Sequence, residues 1–437
     1  MAEQMKPSGI DWIGDIPKSW KVKPIAYMTK SRSGGTPDRN NLLYWENGTI
    51  PWMSSGEVNK VNIYDTDEKI TTLAVHHSSA KIISKNAVMV ALNGQGKTKG
   101  MSAILRIDSA CNQSLCAFSC NAGILYYEYL FWCFQTMYTY LRQMSGDDVR
   151  DGLAASYVKK QKIPVPKYEE QQAIADFLDK ECAQVDSIAA DLEKQIELLQ
   201  QYKKSLITET VTKGLDKSVS MKDSGIEWIG KIPEHWQKTR IKFEASIIGS
   251  GTTPDSGNSM YYDNGEHSWI QSGDLYGKDY IYETEKQLTN LAILECHALN
   301  WYTKDFVVVA MYGASVGNVA ISKIDSFTNQ ACCVIKLNEK NDNRYLFYFL
   351  KAAQEEMLLK AFGGTQPNIS QIIIKNLNFL NVPLLEQIEI ADFLDSKCDM
   401  INEMLKSKKD QYDILIKHKK SLIYEYVTGK KRVKEVQ

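Results

Sequence analysis

The residues most suggestive of chemistry are Asn93-Gly94-Gln95-Gly96-Lys97-Thr98, which end in the Gly-Lys-Thr of a phosphate-cradling loop. Such a loop requires G-x-x-x-x-G-K-[ST] between a strand and a helix, so that backbone N–H groups face the phosphates. Here Ala91 holds the first glycine position, and the apolar run at 101–107 follows where a helix is needed. These residues instead fit a flexible basic hairpin loop that approaches a nucleic-acid backbone. Asn93 and Gln95 have the donor–acceptor pair that reads adenine, and Lys97 and Lys99 reach phosphate or guanine.

Other chemistries lack their parts. A DNA aminomethyltransferase needs an Asn/Asp-Pro-Pro-aromatic segment, and none of the 11 prolines is adjacent to another. Asp67-Glu68-Lys69 matches only the tail of a nuclease-like pattern and reads as a solvated turn. The nine cysteines include no C-x-x-C pair and the six histidines are scattered, so neither a zinc site nor a catalytic constellation is expected. Thiols are expected to be free. No apolar stretch near Met1 resembles a signal peptide, and the most apolar window, 123–141, carries Glu128 and Gln135. The expectation is a soluble, cytoplasmic protein with no membrane partner.

The elements that must hold such a loop are written twice. SGIDWIGDIP at 8–17 returns as SGIEWIGKIP at 224–233, with eight of ten positions identical. EQQAIADFLD at 170–179 returns as EQIEIADFLD at 386–395, and KKSLITETVT at 203–212 as KKSLIYEYVT at 419–428. All three recur at an offset of 216 residues, the mark of a tandem duplication. Between them the sequence drifts, although Thr36-Pro37-Asp38 still matches Thr253-Pro254-Asp255, and Asn112-Gln113 matches Asn329-Gln330.

Within each copy, 87–92 and 306–311 read as strands, each followed by a glycine loop and a second strand. Aromatic helices are expected at 126–141 and 344–361. Segments 170–212 and 386–428 contain no Pro and, within those bounds, no Gly, and they read as long helices with a heptad stripe. The expected packing residues are Leu178, Val185, Ile188, Leu192, Leu199 and Leu206 on the first, and Leu394, Ile401, Leu415 and Leu422 on the second. Residues 169–212 hold 4 basic and 10 acidic groups, and 386–434 hold 11 and 9, a complementary pair. The whole chain of 437 residues has a net charge of −1, so it is no polybasic DNA binder on average. Residues 1–168 nevertheless carry 20 basic against 14 acidic side chains, whereas 213–385 carry 17 against 19.

Two copies of SGI-[DE]-WIG-x-IP, an early TPD, an NQ pair and a closing EQ-x-x-IADFLD helix resemble the specificity subunit of type I restriction-modification enzymes. The resemblance covers essentially the whole chain. It implies an α+β fold: two similar mixed α/β target-recognition domains joined by two long antiparallel helices in a pseudo-two-fold repeat. The expected segments are domain 1 at 1–168, the first long helix at 169–215, domain 2 at 216–385 and the second long helix at 386–437. It also implies a non-catalytic subunit whose domains each read half of a bipartite double-stranded DNA target. The helices would set the spacer and dock two methyltransferase subunits, with restriction/translocase subunits completing the complex. AdoMet, ATP and Mg²⁺ would be held by those partners, with no cofactor in this chain. The competing reading is a coiled-coil adaptor with no role on DNA.

The candidate DNA contacts are Gly35, Thr36, Asn93, Gln95, Lys97, Lys99 and Gln113 in the first domain. In the second they are Thr252, Thr253, Tyr312, Ser315, Gln330 and Gln366. Trp12 and Trp228 read as packing anchors. Because the catalytic motifs are missing, the purified chain should transfer no methyl group from AdoMet to DNA; radiolabel incorporation by the chain alone would overturn this.

Overall fold

The computed structural model describes residues 4–94, 96–144, 152–313, 315–362 and 368–433. Two compact units emerge. The first is residues 1–193 with 410–437, and the second is residues 194–409. These units cut across the sequence repeat, because each takes in part of both long helices.

The first unit is built on a five-stranded sheet in the order Thr29–Ser33, Leu115–Cys120, Val88–Ala91, Ser102–Leu105, Asn62–Ile63. All neighbours are antiparallel except the last pair. The central strand is apolar at every position because both of its faces are covered. Alternation sends Val88 and Val90 towards the aromatic helix Tyr127–Met144, and Met89 and Ala91 towards Met53 and Val58 on the opposite face. A three-stranded sheet of Ala110–Cys111, Ile50–Met53 and Glu68–Ile70 adjoins that second face.

The second unit repeats the plan with strands Ala245–Ser250, Cys332–Leu337, Phe306–Ala310, Val319–Ser322 and Tyr280–Ile281. Val307 and Val309 face one core, Val308 and Ala310 the other. The aromatic helix expected at 344–361 is divided into Asn343–Ala352 and Gln354–Leu359. At the buried Ala353 between them, ψ of 4° leaves the helical range.

The repeated motif is a hairpin clasp. Met5–Pro7 pairs with Asp15–Pro17, and Met221–Asp223 with Lys231–Pro233. The serine hydroxyls of Ser8 and Ser224 accept from the N–H of Ile10 and Ile226, both at 3.1 Å. Gly14 and Gly230 sit at φ of 67° and 68°, where a side chain would be strained, which accounts for the glycine after Trp-Ile. Trp12 lies 6.3 Å from Tyr140 and Trp228 lies 5.5 Å from Phe349, so both pack on the aromatic helices of their own units.

The long helices run Tyr168–Lys213 and Leu384–Val427, 46 and 44 residues. In the first unit Asp186 accepts from Lys419 and Glu170 pairs with Arg432, both at 2.5 Å, while Phe177 meets Tyr426 at 4.4 Å between centroids. Numbers that rise on one helix and fall on the other define an antiparallel pair. In the second unit Lys203 donates to Asn402 at 2.8 Å, the repeat of the Asp186–Lys419 contact.

The seam keeps a 3.5-residue period. Leu178, Val185, Leu192, Leu394, Ile401 and Leu422 are buried on it, and Leu199, Leu206 and Leu415 are half-buried. Ile188 is a correction, since it is 51% exposed. The alternate seam positions fall four residues after each leucine-type site, not three, and carry Cys182 and Ala189. Small residues there let the helix backbones approach closely, and Ile188 is turned to the outside.

The preserved aspartate of IADFLD ties each long helix to its aromatic helix. Trp132 donates to Asp179 at 2.8 Å, and Tyr348 donates to Asp395 at 2.6 Å. Burial raises the Asp179 pKa.

Each unit is closed by a helix end from the opposite half of the sequence. Leu422, Ile423 and Val427 join the core of the first unit with Ile13, Ile16 and Trp20. Ile207 and Val211 join that of the second with Ile229, Ile232 and Trp236. The buried Tyr129 hydroxyl donates to the Val427 carbonyl at 3.1 Å, and Tyr345 donates to the Val211 carbonyl at 3.0 Å. Tyr345→Phe leaves the Val211 carbonyl unpaired in the core and should cost the second unit about 1–3 kcal/mol. Differential scanning calorimetry should show one of two transitions lowered. An unmoved transition would mean that this bond is dispensable.

Candidate nucleic-acid interface

The turn that begins with TPD and the turn that carries Asn-Gln meet in both units. In the first, Thr36 Oγ1 donates to Gln113 Oε1 at 2.8 Å; in the second, Thr253 Oγ1 donates to Gln330 Oε1 at 2.5 Å. Each glutamine is exposed and held at the tip of an Asx turn, with Asn112 Oδ1 accepting from Ser114 N and Asn329 Oδ1 from Ala331 N. With its oxygen accepting from threonine, the Gln113 amide NH₂ still faces solvent as a donor pair. Donors and acceptors fixed on a rigid turn suit the reading of a base edge.

Beneath these turns lies a tryptophan anchor. Trp52 Nε1 donates to the Gly35 carbonyl at 3.0 Å, and Trp269 Nε1 to the Thr252 carbonyl at 3.3 Å. Gly35 is buried, and a Cβ there would come within 1.9 Å of Ser79 Oγ. Gly35 therefore shapes the turn through its backbone and carries no side chain towards a ligand, a correction to its expected role, while Thr252 gives its carbonyl to the anchor and keeps a half-buried side chain.

The glycine loop joins strands Val88–Ala91 and Ser102–Leu105 and is pinned from the aromatic helix. Tyr138 donates to the Lys97 carbonyl at 2.6 Å, and Arg142 donates to the Gly96 carbonyl at 2.9 Å. Asn93 and Lys97 are exposed. Lys99 is not: it is 8% exposed, and its carbonyl accepts from Arg142 at 3.3 Å, so the ammonium expected on DNA is withdrawn into the unit. In the second unit the Tyr312 phenol is half-buried; burial raises its pKa and a hydrogen bond with Gln330 opposes the rise. Tyr312, Gln330 and Thr253 thus form one cluster. Ser315 stands apart from it as a second correction, since it is buried and its hydroxyl is spent on the Ser272 carbonyl at 2.6 Å. Gln95 and Gln366 lie outside the described residues.

Asp67 and Glu68 serve structural ion pairs, with Lys60 and Arg39 respectively. Arg39 also stacks on Trp45 at 3.9 Å, a contact that no spacing rule marks. Sequence reasoning missed the exposed aromatics Tyr27 and Phe243, and Tyr64 and Tyr282, which occupy equivalent places in the two units. Alignment of the repeats, with attention to aromatics at drifted positions, would have found them. Among the described residues no group of three or more His, Cys, Asp or Glu could hold a metal ion, and no helix is long and apolar enough to cross a membrane. All nine cysteines are free.

Two similar mixed α/β units, each presenting a Thr–Gln pair beside a glycine loop and mounted on paired long helices, define a duplicated DNA-recognition architecture. The model of the type I restriction modification DNA specificity domain matches residues 17–198 and 233–411, and the chain belongs to that family. It is 25% identical to the type I restriction enzyme MjaIX specificity subunit of Methanocaldococcus jannaschii, across 97% of this chain and 96% of that one. It is 31% identical to the EcoR124I/EcoR124II specificity subunit of Escherichia coli, over 41% of this chain and 45% of the relative. Its fold is similar to a chain from a solved type I restriction-modification system, with a TM-score of 0.74 at 15% identity, covering 95% and 99% of the two chains. The HsdS subunit of Thermoanaerobacter tengcongensis gives a TM-score of 0.54 at 16% identity, covering 95% and 98%.

Gln113→Ala should relax discrimination at one base pair of one half-site by about 1–3 kcal/mol. Lys97→Ala should weaken binding of the assembled enzyme alike on all sequences and lower its salt slope by roughly one. Methylation of a randomised target library, with salt titrations, separates the two. A uniform loss for Gln113→Ala would remove it from base reading.

Proposed function

We propose that this chain is the DNA-reading subunit of a type I restriction-modification assembly, and that each unit reads one half of a bipartite double-stranded target. The observation that carries this is the Thr36–Gln113 pair and its repeat Thr253–Gln330, the same donor geometry at the same turn in two drifted domains. A duplicated reader needs two similar modules held at a fixed separation. The chain itself performs no bond chemistry; AdoMet, ATP and Mg²⁺ are bound by methyltransferase and restriction/translocase partners. Two methyltransferase subunits, one for each repeat, fit the duplication, and the assembly works in the cytoplasm. A coiled-coil adaptor without DNA is not favoured, because both domains match the DNA specificity family.

The helix surface supports partner docking. Ile188 and Ile414 in the first unit are 51% and 66% exposed, and their repeats Met404 and Leu198 in the second are 49% and 53% exposed. Apolar side chains kept on the outside at repeated positions suit two copies of one partner.

The helices also act as the spacer ruler in this reading. Seven residues inserted after Glu193 and seven after Lys409 preserve the 3.5-residue seam and lengthen both helices by roughly 10 Å. The unread spacer should grow by about three base pairs, at 3.4 Å each, with both half-site sequences unchanged. Sequencing the products of methylation from a variable-spacer library measures this. An active enzyme with the original spacer would show that the helices do not set the distance.

A further inference from the structure

The second unit contains a cavity of about 700 Å³ between the first long helix and one edge of the five-stranded sheet. Its walls include Lys203, Lys204, Lys278 and Lys351, with Asp279 as the only acidic side chain. Lys351 pairs with Asp279, and Lys203 lies 3.5 Å from the same carboxylate. These two lysines are only 23% and 18% exposed, so two largely buried ammonium groups share one carboxylate. Lys204 is paired with Glu355 outside the cavity. Lys278 is exposed and its ammonium has no ion pair among the described residues.

The other repeat supplies an internal comparison. Val61 stands where the second unit has Asp279, and Gln135 where it has Lys351. Asn402 replaces Asp186, which in the first unit neutralises Lys419, the repeat of Lys203. The first unit therefore balances one lysine with one aspartate, and the second leaves positive charge uncompensated in a partly dry cavity. Such charge is costly unless an anion completes it.

Position decides which anion. The cavity lies beside Tyr280–Ile281 and Val319, at the opposite edge of the sheet from Ala245–Ser250, the strand that leads into the Thr253 turn. Leu405 and the rings of Tyr280 and Tyr282 offer accessible apolar surface in the lining, which a phosphate backbone does not need and an amphipathic protein segment does. We infer that this cavity docks an acidic, carboxylate-rich segment of a partner chain, so that the two repeats offer unequal docking faces. The partner's class rests on the assembly proposed above, with the methyltransferase subunit as the chain to be tested.

The test is to titrate the full chain with the methyltransferase subunit of a type I system and to follow binding by calorimetry at several salt concentrations. Lys278→Glu reverses the unpaired charge on an exposed side chain. The triple variant D279V/K351Q/N402D installs the arrangement that the first unit already tolerates. Each should weaken the binding of one of the two methyltransferase subunits by at least about tenfold and flatten its salt dependence, leaving the other binding step as it was, while the assembled enzyme still methylates the same target sequence. Unchanged methyltransferase affinity overturns the inference. If that affinity is unchanged and the salt slope for DNA falls instead, the cavity is a phosphate site. If the wild-type chain binds no methyltransferase subunit, the assembly reading fails first and this inference with it.

Discussion

The structure depends on one closure: the end of a long helix seals the core of a domain encoded in the opposite half of the sequence. Without Leu422, Ile423 and Val427, the hairpin clasp at Ile13 and Ile16 and the buried Trp20 would lose part of their apolar cover. Without Ile207 and Val211, Ile229, Ile232 and Trp236 would be in the same position. Burial of each such side chain contributes about 1.5–3 kcal/mol, so three residues supply a sizeable fraction of a domain's marginal stability. Each closure is completed by one tyrosine hydroxyl on a carbonyl at the helix end, at 3.1 Å from Tyr129 and 3.0 Å from Tyr345. Each long helix therefore contributes side chains to the cores of both units.

That closure explains what the two repeats keep and what they let drift. The clasp, the IADFLD aspartate and the KKSLI helix end all lie where long helix, aromatic helix and hairpin meet. There a lost contact destabilises a whole unit. The turns and glycine loops are supported at their bases, by Trp52 and Trp269 beneath the TPD turns and by Tyr138 and Arg142 beneath the first glycine loop. Their tips are free to change, which is what readers of different half-sites require.

The drift also makes the units chemically unequal. The first carries most of the basic excess and an Arg39 stacked on Trp45 and ion-paired with Glu68. The second is near neutral in its domain and concentrates positive charge away from the turn that holds Thr253. Duplicated readers of a split site gain from such divergence, because two identical units would read only symmetric targets.

The sequence by itself determined the duplication, the order of elements, the strand–loop–strand units and the family, because repetition and hydrophobic periodicity are local signals that survive drift. It also singled out Thr36 with Gln113 and Thr253 with Gln330, although not that they bond to one another. Only the tertiary structure decided which helix end closes which domain, since nothing local distinguishes Val211 from Val427. It moved the alternate seam sites to Cys182 and Ala189 and turned Ile188 outward, because close helix approach favours small residues over the larger apolar ones that a pattern search prefers. It buried Lys99 and Ser315 while leaving Lys97 exposed and Tyr312 half-buried. Residues two or three apart in a tight turn point in different directions, and only the packing beneath the turn settles which of them meets solvent.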